Sequence, residues 1–529
     1  MLLSRCDNGS IPDAKVTEER IQGPLRRTNR TDQYVERVRL LLARLIVIAR
    51  RHPYASLLGL EAWLAYAAYQ LWIVVTGPIG YWNDTAAYVS VARSPFPSVA
   101  LLAGQRPPLV PLLWKVTGSP LSFAVTQTVF GIVAWTILAI TVPRLVRPGW
   151  PGLLAGASVL AFASCWQVTE WNWNVLSESV ALSATAIACA ATIWLVRRFT
   201  LSRACVLALA CCVLVADRDQ TIWVVGPAGV AICLYAVVRY LGVRRRSVAT
   251  RELLLLALSL FAIASLAELG AASSHRNVIN MKDVFYVRVF PFPARVQWFA
   301  QHGMPDSKQV DVIARQTLRL PGSAKVVEPN FGLPGLRRLD RWFEDRAELT
   351  YAEFLVTHPG YVLTAPFARP ALTYNNDNGN LAFYGSLIDQ NPANPANHAL
   401  PFLPILMFPS WEVTLAVGLT GAALLLARRP RSFRCWVPAF ALVATGLWSM
   451  LVAWHGDGME VARHTIEGNI ELRIAVLVLA IQGVLGSRLS TGPSTRSAHE
   501  PDSSVPPPHS GSDLHHVQPT PKPSTHALG

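Results

Sequence analysis

The chain has 529 residues, of which 52% are apolar and only 15% are charged. This composition is too apolar for a water-soluble fold of that size, so we expect a membrane protein. The excess of 47 Lys and Arg over 33 Asp and Glu could suggest nucleic-acid binding. Because the basic residues concentrate in short segments between apolar runs, they instead indicate membrane orientation, and we expect no nucleic-acid partner.

Ten apolar runs have lengths suited to crossing a bilayer. They cover about 55–76, 119–142, 151–168, 175–196, 204–216, 221–238, 252–272, 403–427, 435–454 and 470–487. We therefore predict an all-α polytopic integral membrane protein with about ten transmembrane helices and a mainly helical extracytoplasmic domain.

The domain organisation follows from these runs. We predict a cytoplasmic tail with a juxtamembrane helix (1–54), seven spans (55–272) with a first outer loop (77–118), an extracytoplasmic helical domain (273–402), three more spans (403–487) and a disordered cytoplasmic tail (488–529). The last segment is rich in Pro, Ser and His and poor in apolar residues, which is typical of disorder.

Basic residues occupy every second connection between the runs. Arg144 and Arg147 follow the second run, and further arginines follow the fourth, sixth and eighth. Since the Lys and Arg content of short loops sets orientation, we predict a multi-pass protein with both termini in the cytoplasm. The many Arg, Ala and Pro residues suggest a bacterial source, so the expected location is the cytoplasmic (inner) membrane. The loop 77–118, the turn 170–178 and the acids at 217–219 then share the outer face.

The first outer loop contains a carboxylate just after a membrane exit. Asp84 lies within GYWNDTAAY (80–88), and RPPLVPL (106–112) follows. If Asp84 begins a short helix, Tyr88 lies one turn further along the same face. Asp84 is then either the N-cap of that helix or a general base above the membrane surface.

Charged residues at other outer span ends are functional candidates, because ionisable groups near a bilayer are costly. Asp217 and Asp219 have a spacing that can hold a divalent cation such as Mg or Mn, and the intervening Arg218 could neutralise a phosphate. The alternative is a pair of interfacial acids paired with arginine at a tight turn.

Three further features lie on the predicted outer side. Ser177 and Glu178 open the fourth run, where they either cap the helix or contact substrate. Trp171 and Trp173 are interface anchors or stacking platforms for a sugar ring. Arg463 and His464 precede the last run, either as cations for a phosphate or as part of a solvated helix.

The Asp84 loop, the RPPLVPL segment, the Leu-Ser-Glu at 176–178 and the Arg-His at 463–464 resemble features of GT-C type polytopic membrane glycosyltransferases. These enzymes use sugars carried on polyprenyl phosphates. Members often have paired acids where this chain has Asn83 and Asp84, which leaves the role of base to one residue.

The resemblance implies an inverting transfer of a hexose or pentose from a polyprenyl-phosphate donor to a glycolipid, cell-wall polysaccharide or protein acceptor at the outer face. Asp84 would be the general base, and Arg218 with Arg463 or His464 would stabilise the departing phosphate. Tyr88, Arg106 and Glu178 would be further substrate-binding residues. A divalent cation at Asp217 and Asp219 remains optional, because arginines can carry the phosphate charge. The expected partners are the donor, membrane lipids and the acceptor.

Two other functions stay open. A transporter or flippase of lipid-linked intermediates would place ionisable residues near the middle of spans and often show an internal repeat. Here the charges gather at span ends and no repeat is apparent, which favours the enzyme. A catalytically silent relative that acts as a scaffold is the third possibility.

Overall fold

A computed structural model describes residues 39, 52–242, 248–305, 310–313, 337–368, 373, 400, 402–428, 433–456, 458 and 461–487. All elements within these ranges are helical, apart from two isolated β-bridges. The predicted cytoplasmic tails lie almost entirely outside the described residues, as does much of the predicted 273–402 domain.

The longer helices are labelled α1 to α16 in chain order. They are α1 Pro53–Thr76, α2 Asn83–Ala92, α3 Leu109–Thr117, α4 Pro120–Thr141, α5 Trp150–Ala163, α6 Glu178–Arg197, α7 Leu201–Asp217, α8 Ile222–Gly242, α9 Val248–Ser273, α10 Arg276–Val284, α11 Pro293–Gln301, α12 Arg337–Asp345, α13 Ala347–Thr357, α14 Trp411–Ala427, α15 Val437–Gly456 and α16 Ile466–Leu485. Shorter helical turns lie at Val99–Leu102, Val142–Leu145, Trp166–Thr169, Glu170–Trp173, Asp219–Thr221, Phe285–Val289, Pro359–Thr364, Ala365–Ala368, Phe402–Met407, Phe433–Cys435 and Val461–His464.

In the described part of the chain, seven helical segments are long and apolar enough to cross a membrane, or eight if a bent pair counts as one span. The protein is therefore a helical polytopic membrane protein. Each of the ten predicted runs contains helix, but α7 and α14 have only 17 residues. At about 1.5 Å per residue, such a helix is shorter than the ~30 Å hydrocarbon core. The predicted count of ten spans is thus not confirmed.

The chain bends by 59° after α5 and returns into the helix bundle. The segment after this bend contains Trp171 and Trp173, which are only 3% and 2% exposed. Trp173 packs against Ile73 of α1 and Ala124 of α4. The prediction that these tryptophans are interface anchors or sugar platforms is wrong, because the bend encloses them in the protein core.

Polar side chains hold the buried segment 170–174, which we call the hub. Gln127 of α4 donates from Nε2 to the backbone carbonyls of Trp171, Asn172 and Asn174, at 3.2, 2.8 and 2.8 Å. The side chain of Asn172 donates to Gln70 Oε1 of α1 at 2.8 Å. The carbonyls at the end of a short helical turn within an apolar bundle need such partners, because no lipid group can supply them.

The hub also fixes the beginning of α2. Gly80 and Asn174 form a parallel β-bridge, and Trp82 Nε1 donates to Asn174 Oδ1 at 2.8 Å. The hydroxyl of Thr85, in the first turn of α2, donates to the carbonyl of Val175 at 2.9 Å. The position of Asp84 is therefore set by contacts with residues about 90 positions later in the sequence.

The described part of the predicted extracytoplasmic domain packs around one aromatic side chain. The ring of Phe285 lies 4.7, 5.3 and 5.2 Å, centre to centre, from the rings of Phe299, Trp342 and Phe343. All four side chains are buried. This domain rests on α15, where the carbonyl of Val362 lies 3.0 Å from Nε2 of His455.

We expect Gly80→Ala to destabilise the protein. A Cβ at Gly80 would overlap Asn174 Oδ1, which cannot move away without losing its bond to Trp82. A forced overlap in a packed interior typically costs about 1–3 kcal/mol. Thermal unfolding in detergent should show a lower Tm for this variant. Gly360→Ala is the matched control, because nothing lies within 4 Å of its added Cβ; equal Tm values for the two variants would contradict the prediction.

Candidate functional site

A cavity of about 550 Å³ lies at one end of the helix bundle. Its walls come from α2, the ends of α7 and α15, the start of α8 and the segment before α16. Helices α10 and α13 of the predicted extracytoplasmic domain complete them. Glu178, predicted to bind substrate, is not among the residues that line this cavity. Of the other residues predicted from the sequence, the following line it: Asp84, Tyr88, Arg106, Ser177, Asp217, Arg218, Asp219, Arg463 and His464. The structure thus brings together groups from four separate parts of the chain.

Asp84 faces two arginines. The N-cap position of α2 is Trp82, so the interpretation of Asp84 as the N-cap is wrong. Oδ1 of Asp84 lies 2.7 Å from Arg106 Nη2, and Oδ2 of Asp84 lies 2.9 Å from Arg463 Nη1. Tyr88 lies one turn further along α2 and is buried, with the Arg106 guanidinium 5.5 Å from its ring centre.

The two arginines determine the charge state of Asp84. Burial alone would raise its pKa, but the nearby guanidinium groups of Arg463 and Arg106 outweigh burial and lower the pKa below its usual 3.8. Burial and the Asp84 carboxylate raise the pKa of Tyr88 well above its usual value. Asp84 is therefore ionised and Tyr88 neutral at physiological pH.

A second carboxylate lies deeper in the same network. Glu178, the first residue of α6, is fully buried, and its Oε1 accepts a hydrogen bond from Nε of Arg463. The same oxygen lies 3.5 Å from Arg218 Nη2. Ser177 occupies the N-cap position of α6 but makes no capping bond with its side chain. Glu178 thus holds the two arginines at the cavity wall.

Two residues of the site were not assigned from the sequence. Glu467, in the first turn of α16, accepts from Arg218 Nη1 at 2.8 Å and from Gln220 Nε2 at 2.8 Å. Arg276, at the start of α10, lies 2.9 Å from Asp219 Oδ1 and donates to the carbonyl of Arg106 at 3.1 Å. The sequence feature that could have identified both residues is an ionisable side chain beside a span end.

We call Asp84, Arg106, Glu178, Arg218, Arg463 and Glu467 the ionic network.

The two acids of the predicted cation site have different surroundings. Asp219 is paired with Arg276, whereas Asp217 is 1% exposed and neither of its oxygens has a hydrogen-bond partner in the described part of the chain. Within the described ranges, no three His, Cys, Asp or Glu side chains are grouped so that they could hold a metal ion. The divalent cation therefore remains a prediction.

The cavity also has an apolar end. Trp223 and Pro227 of α8 and Trp448 and Leu451 of α15 line it there. The two helices are joined by a hydrogen bond of 2.6 Å from Trp448 Nε1 to the carbonyl of Trp223. Both tryptophans are about half exposed, at 44% and 51%, on helices of membrane-spanning character. One continuous cavity therefore connects the ionic network to the apolar surface of two spans.

No protein-family model, curated protein or solved structure matches this chain. The fold defines the class of a helical polytopic membrane protein, and the chemistry of the cavity is the basis for any narrower assignment.

We expect Glu178→Gln to destabilise the fold strongly, because it leaves Arg218 and Arg463 buried with one fewer carboxylate. Breaking a buried ion pair from one side typically costs about 3–5 kcal/mol. The free energy of unfolding in detergent measures this loss. Asp340→Asn is the control: it breaks the Lys282–Asp340 pair of 2.7 Å, whose side chains are 15% and 28% exposed, and should cost about 1 kcal/mol or less. Equal losses would contradict the buried network.

We expect the stabilising effect of Asp84 to depend on pH. Its pKa is lower in the folded protein than the usual 3.8, so its ion pairs contribute fully above that value and are lost as the pH falls through the folded pKa. Asp84→Asn should therefore have a lower Tm than the wild type at neutral pH. That difference should shrink below pH 3.8. A difference that is constant with pH would contradict the assignment.

Proposed function

We propose that this protein is a membrane glycosyltransferase that moves a sugar from a polyprenyl-phosphate donor to a glycolipid, cell-wall polysaccharide or protein acceptor. The observation that supports this most strongly is the cavity, which joins three arginines to the apolar flank of α8 and α15. An anionic head group bonded to a long apolar chain is the ligand that matches both ends. The charged residues are those that resemble GT-C type transferases.

The distribution of charge supports a location of the cavity on the outer face of a cytoplasmic membrane. Arg144, Arg197 and Arg203 lie at the ends of α4, α6 and α7 that are opposite to the cavity. Basic loops commonly remain on the cytoplasmic side, and this tendency supports an outer position of the cavity. Nucleotide sugars are absent there, so the donor needs a leaving group that is anchored in the membrane.

In the proposed reaction, an acceptor hydroxyl oxygen attacks the anomeric carbon of the donor from the face opposite the phosphate. The new C–O bond forms as the bond from the anomeric carbon to the phosphate oxygen breaks, and the electron pair leaves with the polyprenyl phosphate. Asp84 accepts the hydroxyl proton as general base, and the anomeric centre is inverted. Arg218 stabilises the negative charge on the departing phosphate.

Binding of the donor would also change the basicity of Asp84 through its ion pairs. A carboxylate held by Arg106 and Arg463 is a weak base, since both cations lower its pKa. A donor phosphate near Arg106 competes for that guanidinium, which is the most accessible of the three at 34% exposure of its side chain. Donor binding would then raise the basicity of Asp84 when the acceptor needs it. His464 lines the same wall, where its ring could donate a further hydrogen bond to the phosphate.

The positions of the charges in the ionic network favour the enzyme over a transporter. Asp84, Glu178, Arg218 and Arg463 lie at helix ends or in loops, whereas transport pathways commonly place ionisable groups near the middle of spans. The ionic network is closed by mutual pairing, which suits a fixed binding site for one substrate. The possible divalent cation at Asp217 and Asp219 is an optional addition to this scheme.

We expect purified protein in nanodiscs to transfer sugar from a panel of radiolabelled polyprenyl-phosphate hexoses and pentoses to a membrane-lipid extract. Asp84→Asn should abolish turnover, by roughly 10²-fold or more for loss of a general base, while donor binding survives. Arg218→Gln should weaken both donor binding and turnover, because it removes a phosphate contact.

Asp340→Asn, which lies outside the cavity wall, is the control and should keep full turnover. Donor binding or flipping without transfer in the wild-type protein would reject the enzyme in favour of the transporter or the silent scaffold. Full turnover by Asp84→Asn would leave a transferase but exclude Asp84 as its base.

A further inference from the structure

The buried acids around the cavity differ in their partners. Asp84, Glu178, Asp219 and Glu467 each lie within 3 Å of an arginine nitrogen. Asp217 does not follow this pattern, although it is 1% exposed and lines the cavity. Both of its carboxylate oxygens are without a hydrogen-bond partner among the described residues.

An unpaired buried carboxylate is costly to the free protein. Leaving such a group unsatisfied costs about 1–3 kcal/mol or more, whereas an apolar residue of similar size at the end of α7 would cost nothing of the kind. The arginine next in sequence does not relieve this cost, because Arg218 directs Nη1 to Glu467 and Nη2 towards Glu178. Asp217 therefore has unused hydrogen-bonding capacity at the wall of the cavity.

We propose that Asp217 binds ring hydroxyl groups of the transferred sugar and selects the donor by its sugar. This inference rests on the proposed function. In the donor, the sugar is bonded to the phosphate through a single oxygen. Arg218 and Asp217 both line the cavity, so a phosphate held by Arg218 brings the ring hydroxyls to the wall that contains Asp217.

The other walls of the cavity suit a saccharide. Asn277 and Asn280 of α10 and Tyr351 of α13 are among its lining residues, and these residue types carry amide groups and an aromatic ring. Hydroxyl groups donate well to a carboxylate, and an amide can both donate and accept. A metal ion is less well matched to Asp217, because Asp219, the second acid of the Asp-x-Asp pattern, is occupied by Arg276 at 2.9 Å.

Binding measurements in nanodiscs test this role with two probes that share a head group. One probe is farnesyl phosphate, and the other is a panel of farnesyl phosphates that carry glucose, mannose, galactose, xylose or ribose. Asp217→Ala should raise the Kd for the preferred sugar-bearing probe by about tenfold or more and leave the Kd for farnesyl phosphate unchanged. Arg218→Gln should raise both values.

Asp217→Asn is the second variant, because it keeps the shape of the side chain. It should weaken sugar binding less than alanine does, and neither variant should have a lower Tm than the wild type, because each removes a buried acid that has no hydrogen-bond partner among the described residues. A lower Tm for Asp217→Asn would indicate a structural role and overturn the inference.

The remaining outcomes separate this inference from the proposed function. If both probes bind and Asp217→Ala changes neither Kd, the sugar role is wrong and the transferase stands. If the wild-type protein binds neither probe, the proposed function is wrong, and the sugar role with it. If Mn²⁺ alone binds to the wild type but not to Asp217→Ala, Asp217 is a metal ligand and the sugar role is overturned.

Discussion

One guanidinium group, that of Arg463, holds two carboxylates from distant parts of the chain. Its Nη1 contacts Asp84 on α2, and its Nε contacts Glu178 at the start of α6. The remaining arginine of the core, Arg218, is tied to the same group through Glu178 and to α16 through Glu467. Because a buried charge is tolerated only when it is paired, each of these helices must be in place before the others can hold their charges. The site is consequently a joint between helices as well as a binding surface.

A different kind of contact sets the depth of Asp84. The hub enters the bundle as a bent, partly non-helical segment, and Gln127 satisfies three of its carbonyls. Asn174 of the hub accepts a hydrogen bond from the side chain of Trp82, and the adjacent Val175 accepts one from the side chain of Thr85. The carboxylate that faces the cavity is therefore supported by neutral hydrogen bonds on one side and by cations on the other.

Some of this arrangement could be predicted from the sequence and some could not. Apolar runs identify helices because hydrophobicity along a segment is a local property, so every predicted run contains helix. Local hydropathy cannot distinguish a full crossing from a helix of 17 residues, nor can it reveal the bend that buries Trp171 and Trp173. The sequence predicts Asp84, Arg218 and Arg463 at outer span ends, but it does not predict that they converge, which the structure shows. The roles of Glu467 and Arg276 were missed, because pairing between residues far apart along the chain leaves no trace in one sequence.

The hub has a consequence for how the protein reaches the membrane. The segment from Trp166 to Asn174 contains Glu170, Asn172 and Asn174, which are expensive to expose to hydrocarbon. The insertion machinery therefore cannot release α5 and this segment into lipid as an independent unit. The Asn172 amide donates to Gln70 of α1 and accepts from Ser179 of α6, and Gln127 of α4 donates to backbone carbonyls of the hub, so these helices must stay together until the hub has closed. Helices α1, α4 and α5 and the hub therefore assemble together during membrane insertion.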